Sequence, residues 1–335
     1  MQALNVARRA APVLLRVGGA AAVLLVLGQR VGAAPFQDGL RAVTPPAVAA
    51  ALVVTAVTTA CSAWRWRVVA RALGVGMPLP AAVGAYYRSQ FLNSVLPGGI
   101  IGDVHRAVVH GRRAGDLGRG VRAVAWERAG GQVVQAVLTG AVLLTPPSPV
   151  RHVPPIILAG AAGVVVCAAF VARGAARRGT SRPAALARTV IGDVRRGLLA
   201  RDVWPAVTLA SVLVVAGHTA VFVLAARIAG CAAPMSELVP PALLVQTALV
   251  IPLSAGGWGP REGAAAWAFA AAGLGAALGV TVAVVYAVLS LAAVAPGIGL
   301  LLADAARRHR GAGRSREVRR PAGAAYPGTL PAKSS

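Results

Sequence analysis

Residues 46–64 contain no charged side chain, and several other apolar runs in the chain approach the same length. A helix needs roughly 20 such residues to cross a bilayer, so the pattern predicts a chain of membrane-spanning helices. Hydrophobic residues make up 57% of the 335 positions, which a soluble domain of this length rarely reaches. Ala, Val, Leu and Gly dominate these runs and only 4% of residues are aromatic, a composition suited to close helix packing through small side chains.

The formal net charge is +24, from 34 basic and 10 acidic residues, and Lys333 is the only lysine. Such a balance would suit nucleic-acid binding if the arginines formed one patch. Instead they sit in loops between apolar runs, where the positive-inside rule accounts for them and anionic lipid headgroups attract them. Nucleic acid is therefore not expected as a partner. Cys61, Cys167 and Cys231 are far apart and lie in or beside apolar runs, so they imply neither a metal site nor a disulfide framework.

Loop charge orients the chain. An apolar stretch at 13–27 follows Arg8 and Arg9 and reads as a first membrane helix rather than a cleaved signal. The span 46–64 ends at Trp64-Arg-Trp-Arg67, an aromatic belt with basic anchors, which with Arg71 places that end in the cytoplasm. Further spans are expected at 121–144, 150–172, 203–228 and 280–302. The loop 173–202 holds eight arginines against Asp193 and Asp202, so it is read as cytoplasmic, with an amphipathic surface helix around 188–199. The expected fold is an all-α polytopic membrane protein of six full spans plus two broken, re-entrant helical elements, with an inverted repeat as a hypothesis. Residues 1–305 form the membrane domain and 306–335 a basic, disordered cytoplasmic tail. Both termini lie in the cytoplasm of a bacterial cell, the protein residing in its inner membrane.

The two broken elements share one grammar. In the first, an apolar segment meets Pro97, Gly98 and Gly99, and Asp103 and Arg106 follow. Regular helix cannot continue through the proline and glycines. If residues 80–100 crossed fully, the basic cluster that follows would lie outside, against the positive-inside rule, so a re-entrant element is expected. In the second, Pro252 breaks an apolar run, Gly256 and Gly257 follow, and Arg261 and Glu262 come next. This half reads either as two crossings or as a re-entrant hairpin. Paired interruptions in corresponding places point to a transporter-like site near the bilayer midplane.

Charges retained beside such breaks cost enough to insert that they usually face a cavity or each other. Arg88, Gln90, Asn93, Asp103 and Arg106 form the first candidate cluster, with a helix-capping role for Asp103 as the bland alternative. Glu127 flanks a stripe in which Arg128, Gln132, Gln135 and Thr139 share one helical face. Here a site and simple helix packing stand even. Capping alone explains Glu262 if a helix begins at Pro260, whereas Arg261 needs a partner or ligand. His218 reads as a packed core histidine, and Gln246 and Ser254 as helix–helix hydrogen bonders. No catalytic constellation, nucleotide loop or metal-binding histidine pair appears, so no catalytic residue, metal or cofactor is expected.

Three stretches taken together carry a family resemblance. Phe91-Leu-Asn-Ser-Val-Leu-Pro-Gly-Gly-Ile-Ile-Gly-Asp-Val-His-Arg106, Trp126-Glu-Arg128 and Ile251-Pro-Leu-Ser-Ala-Gly-Gly-Trp-Gly-Pro-Arg-Glu-Gly263 resemble, in order and spacing, motifs of the lysylphosphatidylglycerol synthase transmembrane-region, or flippase-like, family. The likeness runs over roughly residues 10–305. It implies a membrane domain that moves lipids such as aminoacylated phosphatidylglycerol between leaflets. By the match, Asn93, Pro97, Gly98, Gly99, Asp103, Arg106, Glu127, Arg128, Pro252, Gly256, Gly257, Arg261 and Glu262 inherit the site role. Full synthases add a C-terminal cytoplasmic domain that attaches lysine, and that domain and its activity are not expected here. Trp258 and Pro260 replace smaller or aliphatic residues of relatives, which implies a differently shaped late cavity.

The expected partner is a membrane lipid, either an anionic or aminoacylated phospholipid or a polyprenyl phosphate, with self-association left open. The rival functions are a non-transporting accessory subunit of a lipid- or glycan-modifying enzyme and an intramembrane transferase.

Overall fold

The computed structural model describes residues 23–96, 99–145, 182–249 and 259–318. Among these residues it is all helix, with no strand. After a helical segment at 23–31 the order is α1 (Ala34–Ala42), α2 (Pro45–Ala72), α3 (Leu79–Val95), α4 (Ile101–Arg113), α5 (Leu117–Leu143), α6 (Arg182–Gly197), α7 (Trp204–Ile228), α8 (Met235–Ala248), α9 (Pro260–Ala271), α10 (Ala276–Ala293) and α11 (Pro296–Val318). Proline stands in the first turn of α1, α2, α3, α7 and α9, where its missing N–H costs nothing and its fixed φ favours helix.

Three helical runs among the described residues are long and apolar enough to cross a membrane: Pro45–Ala72, Trp204–Ile228 and Ala276–Arg307. The third bends where α10 gives way to α11 at Pro296. The expected spans at 13–27 and 150–172 lie wholly or mostly outside the described residues. The expected span at 121–144 is α5, which starts earlier because Asp116 accepts a hydrogen bond from the Arg119 N–H at 2.9 Å and caps it. α11 runs to Val318, past the expected end of the membrane domain.

The antiparallel pair α2–α7 is the spine. A Cβ at Gly217 would lie 2.2 Å from Thr58 Cγ2, so only glycine permits this approach and residues 58 and 217 stand level. At one end Val69 packs with Val203 and Val207. At the other, Ala47 and Ala51 join the main core with Phe222, Ala225 and Ala226. The first end gathers Arg67, Arg71, Arg112, Arg113 and Arg122, and the second is weakly charged.

Two helical hairpins approach this spine from opposite ends. α3 starts at the basic end, where Arg67 Nε donates to the Met77 carbonyl at 3.2 Å, and it reaches Thr59, whose hydroxyl donates to Gln90 Oε1 at 2.9 Å. α4 returns until His110 Nε2 meets the Val75 carbonyl at 2.9 Å. α8 starts at the weakly charged end with Leu238 in the main core, and it reaches Thr219, which accepts from Gln246 Nε2 at 2.9 Å. α9 returns from there, placing Phe269 against Phe222 with ring centroids 6.2 Å apart. Gln90 and Gln246, near the described ends of α3 and α8, therefore both lie near mid-height on the spine. α10 then crosses back, and α11 packs along α3, with Gly297 pressed against the Tyr87 carbonyl.

α6 is the expected amphipathic helix. It is clamped to the basic end by Asp193, which pairs with Arg122 at 2.8 Å and accepts from Trp126 Nε1 at 3.2 Å.

Candidate functional site

α4 leans on α3 so closely that a Cβ at Gly102 would lie 2.0 Å from the Ser89 carbonyl oxygen. That contact turns Asp103 and Arg106 back toward α3 and α5. Asn93 closes the turn by accepting from the Gly102 N–H at 2.8 Å, and Gly99 enters it with φ of 61°, which glycine adopts freely. The breaks at Pro97, Gly98, Pro252, Gly256 and Gly257 lie outside the described residues.

The charges at this first tip form one buried network. Asp103 accepts at Oδ1 from Arg106 Nη2 (2.8 Å) and the Ser89 hydroxyl (3.1 Å), and at Oδ2 from Asn93 Nδ2 (2.9 Å); Oδ2 also pairs with Arg128. Glu127 is 0% exposed, and its Oε2 accepts from Arg106 Nη2 at 3.0 Å. Its Oε1 accepts from Arg65 Nη2 (2.6 Å) and Nε (2.9 Å) and from the Tyr86 hydroxyl (3.0 Å). Arg65 Nη1 continues to Ser211 Oγ at 2.8 Å, which ties α2, α5 and α7 together. Gly131 leaves room for that guanidinium, since a Cβ there would lie 2.7 Å from Nη1. Arg106 is stacked against two rings, 4.2 Å from the Tyr86 centroid and 4.6 Å from that of Trp66. Arg106 Nε and Nη1 have no hydrogen-bond partner among the described residues, so the two ring faces stand in for part of the pairing that a buried charge requires.

Arg65 and Trp66 correct the reading of Trp64-Arg-Trp-Arg67 as an interfacial belt: Arg65 is 7% exposed and Trp66 1%. The signal was present. Thr55, Thr58, Thr59, Ser62 and Arg65 recur at helical spacing along α2, and all five are buried.

The remaining predicted residues separate. Arg88 points away from the network and pairs with Asp304 of α11 at 2.7 Å, beside a different pocket of about 320 Å³ that His105, His110 and Arg113 also line. At the second tip Glu262 is fully buried; its Oε2 accepts from the Gly259 N–H at 2.6 Å and its Oε1 from Arg261 Nε at 3.0 Å. It is therefore a helix cap and an anchor for Arg261.

Between the two hairpins lies a chamber in two adjoining parts, of about 250 and 390 Å³, with Arg128, His218, Leu249 and Tyr286 in the walls of both; the wall of the larger part is mainly apolar, with Val221, Val288, Leu291 and Val294. The smaller part adds Arg65, Gln132, Gln135, Ser211 and Gln246. The larger adds Gln90, Asn93, Gly99 and Arg261. The stripe Arg128, Gln132, Gln135 thus faces this chamber, and Thr139, next along it, accepts from Gln135 Nε2 at 3.2 Å. Residues flanking both breaks, Asn93 and Gly99 on one side and Leu249 and Arg261 on the other, line the larger part. Guanidinium groups in a confined wall suit phosphate or carboxylate oxygens. Among the described residues no three His, Cys, Asp or Glu side chains gather as a metal site.

No curated protein and no solved structure matches the chain. One family does, that described as the Lysylphosphatidylglycerol synthase TM region, over residues 13–297. That interval contains both hairpins, the ion network and every residue named in the chamber wall. By a match across most of its length, the chain belongs to the lysylphosphatidylglycerol synthase TM region family.

Proposed function

We propose that the protein binds the phosphate-bearing headgroup of a membrane lipid in this chamber and carries the lipid between leaflets. One observation supports the reading above the others: two hairpins, rising from opposite ends of the α2–α7 spine, bring Asn93 and Gly99 from one and Arg261 from the other to a single cavity near mid-height, where Arg128 of α5 joins them. Helices of 12 to 17 residues, such as α9 and α3, are about 18 to 25 Å long, short of a hydrocarbon core of roughly 30 Å. Each hairpin accordingly reads as re-entrant, and approach from opposite faces is what an inverted repeat gives. The basic end then lies in the cytoplasm by the positive-inside rule.

In this scheme Arg128 and Arg261 hold phosphate oxygens while the acyl chains stay in lipid. The Glu127 network keeps the first tip fixed as the two halves rock about the site. The test is a leaflet-asymmetry assay with purified protein in liposomes. Arg128→Gln and Arg261→Gln should each slow lipid transfer by roughly tenfold or more, as loss of a charge-assisted contact predicts. Transfer unchanged in both variants rejects the proposal.

A further inference from the structure

Whatever enters the chamber meets an unbalanced set of charges. The chain has ten acidic residues, and all ten fall within the described segments. Three lie near the chamber, Asp103, Glu127 and Glu262, and every one of their carboxylate oxygens already accepts a hydrogen bond from the protein. The others lie elsewhere. Asp38, Asp202 and Glu237 are exposed, Asp116 pairs with Arg119, Asp193 with Arg122, Asp304 with Arg88, and Glu317 is late on α11. No carboxylate lines either part of the chamber, whereas Arg65, Arg128 and Arg261 do. Among the described residues four arginines, Arg65, Arg106, Arg128 and Arg261, surround three acids there, leaving one positive charge in excess.

We infer that the chamber accepts a lipid whose headgroup is a phosphate bearing hydroxyl groups and no amine, and that it discriminates against aminoacylated lipids. The inference rests on the lipid-headgroup reading above and narrows it. A phosphate supplies the missing negative charge. An ammonium group would be desolvated beside guanidinium groups with no carboxylate to receive it, and sites commonly exclude wrong partners through such unmatched charge. Beyond the arginines the smaller part offers Gln132, Gln135, Gln246 and Ser211, neutral donors and acceptors that suit the hydroxyls of a glycerol or sugar.

The experiment uses the full chain in liposomes and compares labelled phosphatidylglycerol with its lysyl ester. Phosphatidylglycerol should cross at least roughly tenfold faster, the ratio expected for one mismatched charge. Gln132→Glu places a carboxylate in the wall and should raise transfer of the lysyl ester while lowering that of phosphatidylglycerol. A structural defect would instead lower both. Equal wild-type rates for the two lipids overturn the inference and leave the translocase reading standing. If neither lipid crosses, the translocase reading fails, and competition between the same two lipids for the protein in nanodiscs decides the inference alone: preference for phosphatidylglycerol upholds it, and parity or preference for the lysyl ester overturns it.

Discussion

The tip of the α3–α4 hairpin and the tip of the α8–α9 hairpin reach the same chamber held by different bonds. At the first, Asp103, Arg106, Glu127 and Arg128 are linked to Arg65 of α2 and Ser211 of α7, so four helices share one ionic lattice. At the second, Glu262 bonds the Gly259 N–H and Arg261, its own near neighbours in the chain. Backbone packing at the start of the two returning helices differs too. Gly102 is jammed against the Ser89 carbonyl, whereas a Cβ at Gly263 would make only ordinary contact, 3.4 Å from Val23 Cγ1; α9 makes its own close backbone approach further along, to α10, where a Cβ at Gly279 would lie 2.4 Å from the Ala265 carbonyl oxygen. Among the described residues the first tip is tied to the frame by charge, and the second by a local cap and by packing of α9 on α10. If one half moves during transport, this contrast assigns the motion to the second.

Substitutions at matched positions test the contrast, and the largest effect should come from Glu127→Ala. It leaves Arg65, 7% exposed, with the neutral Ser211 hydroxyl in place of a carboxylate, and it takes from Arg106, 1% exposed, one of two carboxylate partners, Asp103 remaining. Removing one partner of a buried ion pair costs about 3–5 kcal/mol, because the remaining charge stays desolvated. Thermal unfolding of the detergent-solubilised protein measures this. A loss below about 1 kcal/mol would show that the lattice does not hold the frame.

Next in size is Gly102→Ala. The added carbon would lie 2.0 Å from a backbone oxygen, which cannot swing aside as a side chain can, so α4 must shift from α3. Overpacking of this kind costs about 1–3 kcal/mol. The shift should also lengthen the Asn93–Gly102 and Ser89–Asp103 bonds. Faster hydrogen exchange at the start of α4, with α9 unaffected, is the expected signature.

How far the sequence carried this picture depends on how local each feature is. The breaks, the helix starting at Pro260, the capping role of Glu262 and the inward stripe from Arg128 to Gln135 are written in neighbouring residues, and periodicity and capping rules find them. Arg65 was missed because an arginine at the end of an apolar run normally marks an interface, and its partner Glu127 is 62 positions away. Arg88 was grouped with Asp103 by proximity in the chain. Yet Asp304, 216 positions on, claims it, because α11 runs back along α3. The number of spans is equally non-local. A helix such as α5 carries Arg119, Arg122, Glu127 and Arg128 and so fails a hydropathy test, although it is 27 residues long and its acidic residue is fully buried. Hydropathy scores the residue types of a segment and not the partners that neutralise them.

Glu262→Ala should cost less than Glu127→Ala although both acids are 0% exposed. It removes one helix cap and one pairing, about 1–2 kcal/mol together. Arg261 keeps further interactions and borders the chamber, so its charge is not stranded. A cost equal to that of Glu127→Ala would erase the difference between the two tips.

The smallest effect, and the one of opposite sign, belongs to Gly263→Ala. Gly263 is the fourth residue of α9, its N–H bonds the Gly259 carbonyl at 3.0 Å, and the space for a Cβ is there. Alanine in a helix is favoured over glycine by roughly 0.5–1 kcal/mol, chiefly because the unfolded chain loses less freedom. The variant should therefore melt at the same temperature as the parent or slightly above it, where Gly102→Ala melts well below. The pair isolates backbone packing from charge, since neither change touches an ionised group. A destabilised Gly263→Ala protein would mean that the start of α9 is packed as tightly as the start of α4, and the case for assigning motion to the second tip would then rest on its bonding alone.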